Sequence, residues 1–250
     1  MLQTTLDQNL FEHYESEIQS ARMRFEQNSG MIEILSPDVD PIVLELYFLY
    51  FNSLGVPMTD AVEDWICRAG KRCQELEFTN VGNMLMKHAE QEANHHLMMI
   101  EDTRTLVKSW NARQMTKLDA EKFLALPLTK STKAYRQLHE DVIASHAPFA
   151  QVAIEYEIEG LSVRHGSKVV EQAKKILGTN ITDSLSFMEE HVQIDIGHTQ
   201  YNAKILKNLL NEYPETLNSL VKIGGDALDA YAGFLNHCLM KAKTHRQQLK

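Results

Sequence analysis

The stretch EEHVQIDIGHTQ, residues 189–200, places two histidines and an aspartate at regular spacing. His191, Asp195 and His198 are separated by four and then by three positions. In an α-helix of about 3.6 residues per turn, side chains at these offsets lie on one face, one turn apart. Solvent-exposed helix faces also carry polar residues. The spacing alone therefore leaves two interpretations, a set of metal ligands or a solvated face.

A second stretch, HAEQEANHHLMMIE at residues 88–101, carries the same pattern. Its members are His88, Glu92 and His95, so the pattern H-x3-[DE]-x2-H occurs twice in the chain. Each copy contains a carboxylate followed three residues later by a histidine. Such a pair on each of two helices is typical of carboxylate-bridged di-iron sites in helical bundles, which add a single glutamate from each of two further helices.

The single glutamates are sought on the remaining helices. Between the two copies, the apolar stretch AIEYEIEGL holds Glu155 and Glu159, one turn apart. Before the first copy the candidates are Glu45, inside the apolar run IVLELYFLYF, and Glu63 on an amphipathic segment. A carboxylate among apolar neighbours is costly unless it is paired or binds a metal. Imidazole and carboxylate ligands together suit iron, with open positions for dioxygen.

Composition excludes several classes of protein. The chain has 250 residues and a formal charge of −9, which disfavours a nucleic-acid partner because phosphate binding needs a basic surface. Three cysteines without zinc-site spacing fit reduced thiols and a cytoplasmic location. The polar N-terminus lacks the features of a signal peptide. The most apolar run, Ile42–Phe51, is too short to span a bilayer and contains Glu45, so no membrane partner is expected.

The periodicity predicts an all-α protein. Glycine and proline fall mostly between segments of helical periodicity, and no alternating strand pattern is present. We expect one domain over residues 1–250 with about nine helices, in which an N-terminal helix packs on a core of about residues 40–240. The main predicted helices are 4–29, 42–54, 59–78, 81–111, 119–126, 131–146, 148–166, 167–177, 183–211 and 226–245. Glu155, Glu157, Glu189 and Glu190 are expected at the surface.

The order of these motifs resembles the haem-oxygenase-like di-iron oxidases and oxygenases. An acid-x-x-His pair, a single glutamate and then H-x3-D-x2-H follow one another in this chain, and the resemblance covers about residues 40–240. This family is similar in fold to thiaminase II and the pyrroloquinoline quinone synthase. Members that associate with death domains and take part in p-aminobenzoate synthesis, and members that form a nitrile from a tryptophan, are the most similar. The resemblance implies a helical bundle and a homodimer.

The resemblance also implies a ligand set. Glu159 is preferred to Glu155 because it lies about thirty residues before the last motif, as in the family pattern. The glutamate of the first core helix stays open between Glu63 and Glu45, and His96 could replace His95. The implied metal ligands are Glu92, His95, Glu159, His191, Asp195 and His198.

The activity that the resemblance implies is oxidation by dioxygen. Two Fe(II) ions per chain would react with O2 as co-substrate, giving a peroxo-di-iron species that oxidises a small molecule in the biosynthesis of a specialised metabolite or cofactor. An amino acid or amino-acid derivative is the expected substrate. Arg164 and Lys168 could meet its carboxylate, although cations near a helix end also explain these two residues.

Three other functions remain open at this point. A metal-free enzyme of the thiaminase type would need a nucleophilic cysteine, for which Cys67 is the candidate. A non-catalytic interaction protein would bind metal without reducing dioxygen. An iron-storage protein would assemble into a large cage.

Overall fold

A computed structural model describes residues 2–249, with side chains from residue 10 onward. Over that range the chain folds into helices without a β-strand, which confirms the predicted all-α class. Short 3-10 turns and one π-helical segment, Ser162–Gly166, join some of the helices. The α-helices of this range are α1 Leu2–Glu26, α2 Ser29–Ile34, α3 Pro41–Thr59, α4 Val62–Glu75, α5 Thr79–Ala89, α6 His95–Arg113, α7 Ala120–Leu124, α8 Lys130–Ala144, α9 Gln151–Leu161, α10 Ser167–Leu177, α11 Ser186–Glu212 and α12 Leu217–Gln248.

Helix α3 is the apolar centre of the fold. It packs against α6 and α12, and its side chains are buried on nearly every side. The segment Pro41–Glu75 is long and apolar enough to cross a membrane, but 78% of its most apolar window lies inside the protein. Its hydrophobicity is therefore that of a core helix, which buries apolar area on all faces.

Helix α3 is longer than the sequence predicts. Its start is capped by Asp40, whose carboxylate accepts hydrogen bonds from the Ile42 and Val43 amides. The predicted stop at Gly55 and Pro57 is wrong, because the helix continues to Thr59. Gly55 instead allows close packing against α6, because a Cβ at this position would lie only 2.5 Å from the Met99 Cε atom.

The predicted helix 81–111 is interrupted. Helix α5 ends at Ala89 and α6 begins at His95, so residues 90–94 form a turn. Asn94 has a φ of 67°, a left-handed conformation that asparagine tolerates better than most residues. The first copy of the motif therefore does not lie on one continuous helix, and Glu92 is presented by the turn.

The second half of the chain contains fewer breaks than predicted. Gly166 does not end a helix, because the π-helical segment joins α9 directly to α10. Helix α11 begins three residues later than predicted, at Ser186. The Asp102 carboxylate of α6 accepts hydrogen bonds from the Ser186 and Phe187 amides there, at 3.0 Å each. This contact satisfies donors that the first turn of a helix leaves free.

The N-terminal helix α1 is tied to the bundle by a buried carboxylate. Glu157 of α9 accepts a hydrogen bond from the Tyr14 hydroxyl at 3.1 Å and one from the Arg22 Nε atom at 2.8 Å. The expectation that Glu157 lies at the surface is wrong. Its charge is buried because α1 supplies the partners that a buried carboxylate needs. Gly30, a predicted helix stop, lies inside α2.

Helices α4 and α5 approach so closely that glycine is required between them. A Cβ on Gly82 would lie 2.6 Å from the Gly70 carbonyl oxygen, which is backbone and cannot turn away. We predict that Gly82→Ala lowers the free energy of unfolding by about 1–3 kcal/mol. Urea unfolding of the metal-free protein, followed by circular dichroism, measures this.

The matched control is Gly197→Ala in α11, where a Cβ would meet no atom within 4 Å. In an open helical position alanine is favoured over glycine by about 0.5–1 kcal/mol, so this variant should be as stable as wild type or more so. Equal stability of the two variants would contradict the close contact between α4 and α5.

Candidate metal centre

Five parts of the fold bring seven polar side chains to one buried place. The end of α5, the turn after it and the start of α6 supply the first motif, and α9 supplies one carboxylate. Helix α11 supplies the second motif from three successive turns. The side chains are His88, Glu92, His95, Glu159, His191, Asp195 and His198.

Glu92 lies between two groups of imidazoles. Its Oε2 atom is 3.2 Å from the His95 Nδ1 atom. Its Oε1 atom is 3.0 Å from the His198 Nδ1 atom and 3.8 Å from the His88 Nε2 atom. The two oxygens of one carboxylate thus face different histidines, as they would if the carboxylate bridged two metal ions.

The first half-site consists of Glu92, His95 and His191. One ligand atom from each of these residues lies within 4.8 Å of the others. The His191 Nδ1 atom is 2.7 Å from the Phe187 carbonyl oxygen, which can only accept a hydrogen bond. Nδ1 therefore carries the proton, and the Nε2 lone pair is left for a metal.

The second half-site consists of His88, Glu92 and Glu159, which satisfy the same distance criterion. The His88 Nε2 atom lies 2.8 Å from the Glu159 Oε1 atom. The other oxygen of Glu159 accepts a hydrogen bond of 2.7 Å from the Asn202 amide, which fixes the orientation of the carboxylate. His198 is close to both carboxylates, 3.0 Å from Glu92 and 4.0 Å from Glu159.

Buried polar atoms that form no hydrogen bond of normal geometry concentrate at this centre, although several of them face one another across 2.8–3.8 Å. Such atoms are rare in proteins because desolvation without a replacement contact costs free energy. They are His88 Nδ1 and Nε2, Glu92 Oε1, His95 Nδ1, Glu159 Oε1, Asp195 Oδ1 and His198 Nδ1. All but one of these residues also belong to the predicted ligand set. Nitrogen and carboxylate oxygen atoms that converge in this way fit divalent iron.

The structure brings together all six of the ligands predicted from the sequence, but neither candidate for the glutamate of the first core helix. The Glu45 carboxylate forms an ion pair with Arg113. Glu63 is exposed in the first turn of α4. His95 rather than His96 belongs to the half-site with His191.

His88 is the residue that the predicted ligand set omits. It is fully buried and contacts both Glu159 and Glu92. The sequence signal was the first position of H-x3-[DE]-x2-H, which His88 shares with His191. The pattern of bundles that use four glutamates favours Glu45 and Glu63 instead, whereas the full repeat of the motif contains His88.

Glu155 lies next to the centre and is not at the surface as predicted. It is 3% exposed, and it lines a pocket together with Glu92, Glu159 and Asp195. Burial and the neighbouring carboxylates raise its pKa well above the usual value, so the protonated acid is favoured. The Gln151 amide donates a hydrogen bond of 2.5 Å to it, so this buried side chain has a polar partner on α9.

A neutral histidine extends this polar chain away from the centre. The Gln151 Nε2 atom is 2.7 Å from the His139 Nδ1 atom, and the His139 ring stacks on Trp65 with centroids 4.1 Å apart. Burial lowers the pKa of His139 to about 3. Because the ring is uncharged at neutral pH, this chain of contacts places no cation beside the metal centre.

The carboxylates of the centre control the charge of His198. Burial acts to lower its pKa, but Asp195 and Glu92 beside the ring, together with the negative charge of Glu159, raise it to about 10. Burial acts to raise the pKa of Glu92, but the imidazoles of His198 and His95 beside the carboxylate lower it. Without metal, imidazolium groups therefore compensate part of the negative charge that a metal would otherwise neutralise.

This charge distribution predicts a pH dependence of the metal-free protein. A histidine in the unfolded chain titrates near pH 6.5 and His198 in the folded chain near pH 10, so the folded state holds the proton more tightly. The contribution of His198 to stability is full below about pH 6.5. It is lost as the pH rises towards 10. Urea unfolding of EDTA-treated protein at pH 6, 8 and 10 measures this loss.

His198→Asn is the matched variant, because it keeps a polar side chain without a titrating group. The stability difference between wild type and variant should shrink as the pH rises. His88, on the facing α5, also has a raised pKa and stays in both proteins. A difference that is constant from pH 6 to pH 10 would contradict the charge assigned to His198.

Comparison with known proteins identifies the family. Residues 55–232, well over half of the chain, match the model of a family described as iron-containing redox enzymes. The chain belongs to this family. Every residue of the two half-sites lies inside the matched range. No curated protein matches this chain.

Two solved structures show that this iron-containing redox enzyme has the haem-oxygenase-like fold. One is a domain of unknown function with that fold from Shewanella denitrificans, with 17% identity and a TM-score of 0.72 over 97% of this chain and 94% of the other. The other is a TenA homolog from Pseudomonas syringae pv. tomato, with 14% identity and a TM-score of 0.65 over 92% of each chain. These likenesses confirm the predicted fold.

Proposed function

We propose that this iron-containing redox enzyme is a non-haem di-iron oxidase or oxygenase that uses O2 to oxidise a small substrate. The observation that supports this most strongly is the position of Glu92. Its two oxygens face two separate half-sites, and each half-site offers a further imidazole and buried atoms without a hydrogen-bond partner. A mononuclear site would leave one group of these atoms unexplained.

Each residue has a distinct role in this proposal. One ion would be held by Glu92, His95 and His191, and the other by Glu92, His88 and Glu159. His198 lies 3.0 Å from Glu92 and 4.0 Å from Glu159, and Asp195 lies 3.5 Å from His198, so these two residues of α11 would complete the ligand set. Two Fe(II) ions would supply electrons for the reduction of dioxygen.

The surrounding residues would keep the ligands oriented and the centre dry. The Phe187 carbonyl holds the His191 ring, and the Asn202 amide holds the Glu159 carboxylate. Glu92, His191 and His198 are each 8–9% exposed, so water has little access. A low-dielectric site of this kind strengthens the electrostatic contacts that bind and orient a substrate.

The expected substrate is an amino acid or a derivative of one. This expectation rests on the family resemblance alone. Arg164, a proposed partner for the substrate carboxylate, instead lies 3.6 Å from Glu157 and lines a different pocket with Tyr156 and Ile196. Lys168 is exposed. The homodimer, the cytoplasmic location and the single domain likewise stay predictions.

The metal-free alternative is less favoured by the geometry. A thiaminase-type enzyme needs a cysteine thiolate in its pocket. None of the three cysteines lines the pocket that contains Glu92 and His191, and Cys67, the candidate, lies partly exposed on α4. Burial raises the pKa of Cys73 to about 12, so its thiolate is disfavoured.

Anaerobic reconstitution with Fe(II) tests the proposal. We predict uptake of about two iron ions per chain by wild type, followed by O2 consumption and a transient visible absorption after mixing with dioxygen. His88→Ala should bind about one ion and lose the transient signal, because it removes an imidazole from one half-site. Iron content, an oxygen electrode and stopped-flow absorbance are the measurements.

His13→Ala is the matched control, since His13 is exposed on α1. This variant should behave as wild type. One iron per chain in wild type, or no effect of His88→Ala on iron content, would contradict the di-iron centre. Two irons without O2 consumption would favour the non-catalytic interaction protein, and a mass far above a dimer on a sizing column would favour iron storage.

A further inference from the structure

An apolar pocket with a cavity volume of about 80 Å³ lies beside the metal centre. Pockets that bind small ligands are typically lined by apolar and aromatic side chains of this kind. Its wall comes from α1, α2, α3, the end of α9, the π-helical segment, α10, α11 and α12. Phe25, Ile34, Phe51 and Leu235 are typical of the lining, which among the described residues includes no lysine, arginine, aspartate or glutamate.

The pocket and the metal centre share a wall. Leu161, Ser162, Phe187, His191 and Tyr231 line both this pocket and the one that contains Glu92, Glu159 and Asp195. His191 is itself a member of the first half-site. A molecule in the apolar pocket would therefore end next to a metal ligand.

The π-helical segment forms part of that shared wall. Ser162 borders both pockets, whereas His165 and Gly166 border only the apolar one. These three residues, Met188 and Tyr231 are the partly exposed members of the lining, whereas its other described residues are buried, so the entrance lies on their side. Single-turn π-helices are costly in regular helices and are frequent at functional sites.

The entrance is also the more polar end. The His165 Nε2 atom is buried without a hydrogen-bond partner and lies 3.5 Å from the Glu26 carboxylate. A ligand that fills the pocket can therefore keep a polar group near Ser162 and His165. The apolar part of such a ligand would contact apolar and aromatic side chains along the pocket as far as His191.

We propose that this pocket binds an apolar part of the substrate, a hydrocarbon chain or an aromatic ring, and holds it against the His191 side of the metal centre. The inference deepens the proposed function and rests on it. If the substrate is an amino acid, this pocket would favour one with an apolar side chain. A charged side chain would find no counter-ion in the pocket and would lose its hydration.

Binding to protein that carries redox-inactive metal tests the inference separately from oxygen chemistry. Zn(II)-loaded and metal-free protein would be titrated calorimetrically with L-phenylalanine, L-serine and octan-1-ol. Phenylalanine and serine share the same head group, and octan-1-ol shares only the apolar part. Burial of a ring or chain predicts that phenylalanine or octan-1-ol binds at least about tenfold more tightly than serine.

Two neighbouring valines of α10 provide matched variants. Val169 lines the apolar pocket, and Val170 lines a different one. Val169→Phe should weaken binding of the apolar probe at least about tenfold because the ring occupies the pocket, while Val170→Phe should bind as wild type does. Thermal unfolding shows whether both variants are folded.

The outcomes separate the two proposals. Serine binding as tightly as phenylalanine, no binding of either apolar probe, or unchanged binding in folded Val169→Phe would each overturn the apolar pocket as the substrate site. These results leave the iron and dioxygen measurements untouched. Tight apolar binding by a chain that takes up no iron would support the pocket and overturn the di-iron proposal.

Discussion

The burial of Glu92 between two groups of imidazoles is the constraint on which the rest of the structure depends. A carboxylate with so little exposure needs positive partners on both oxygens, and the chain provides them from α5, α6 and α11. Those helices must then meet at one point. The apolar helix α3 packs against α6 and α12 and so supports one of these helices directly.

Much of the centre could be predicted because α11 is regular. His191, Asp195 and His198 face one way along a continuous helix, as their spacing requires. The first copy of the motif obeys a different geometry, since Asn94 breaks the helix and Glu92 lies in the turn. The same three offsets thus place candidate ligands on one helix in the second copy, and on two helix ends and a turn in the first.

The errors share one physical cause. Burial of Glu155 and Glu157 depends on partners that are far away in sequence or that only the fold brings close, such as Tyr14 and Arg22 for Glu157. Local periodicity contains no information about such contacts. Likewise, a glycine after an apolar run predicts the end of a helix, but Gly55 lies inside α3, where it leaves room for the Met99 side chain of α6.

Because Asp102 of α6 caps α11, the two half-sites differ in how firmly their side chains are held in place. Asp102 joins α6 to the first turn of α11, so the helices that carry His95 and His191 are fastened together one to two turns from those ligands. His88, in the last turn of α5, has no such link through its Nδ1 atom, and its ring is oriented through Nε2, which lies 2.8 Å from the Glu159 carboxylate with which it would share an ion. We therefore expect the half-site of His95 and His191 to keep its shape when empty and the half-site of His88 to be organised by its ion. Iron binding would then proceed in two steps of unequal affinity, visible as two phases in an anaerobic Fe(II) titration.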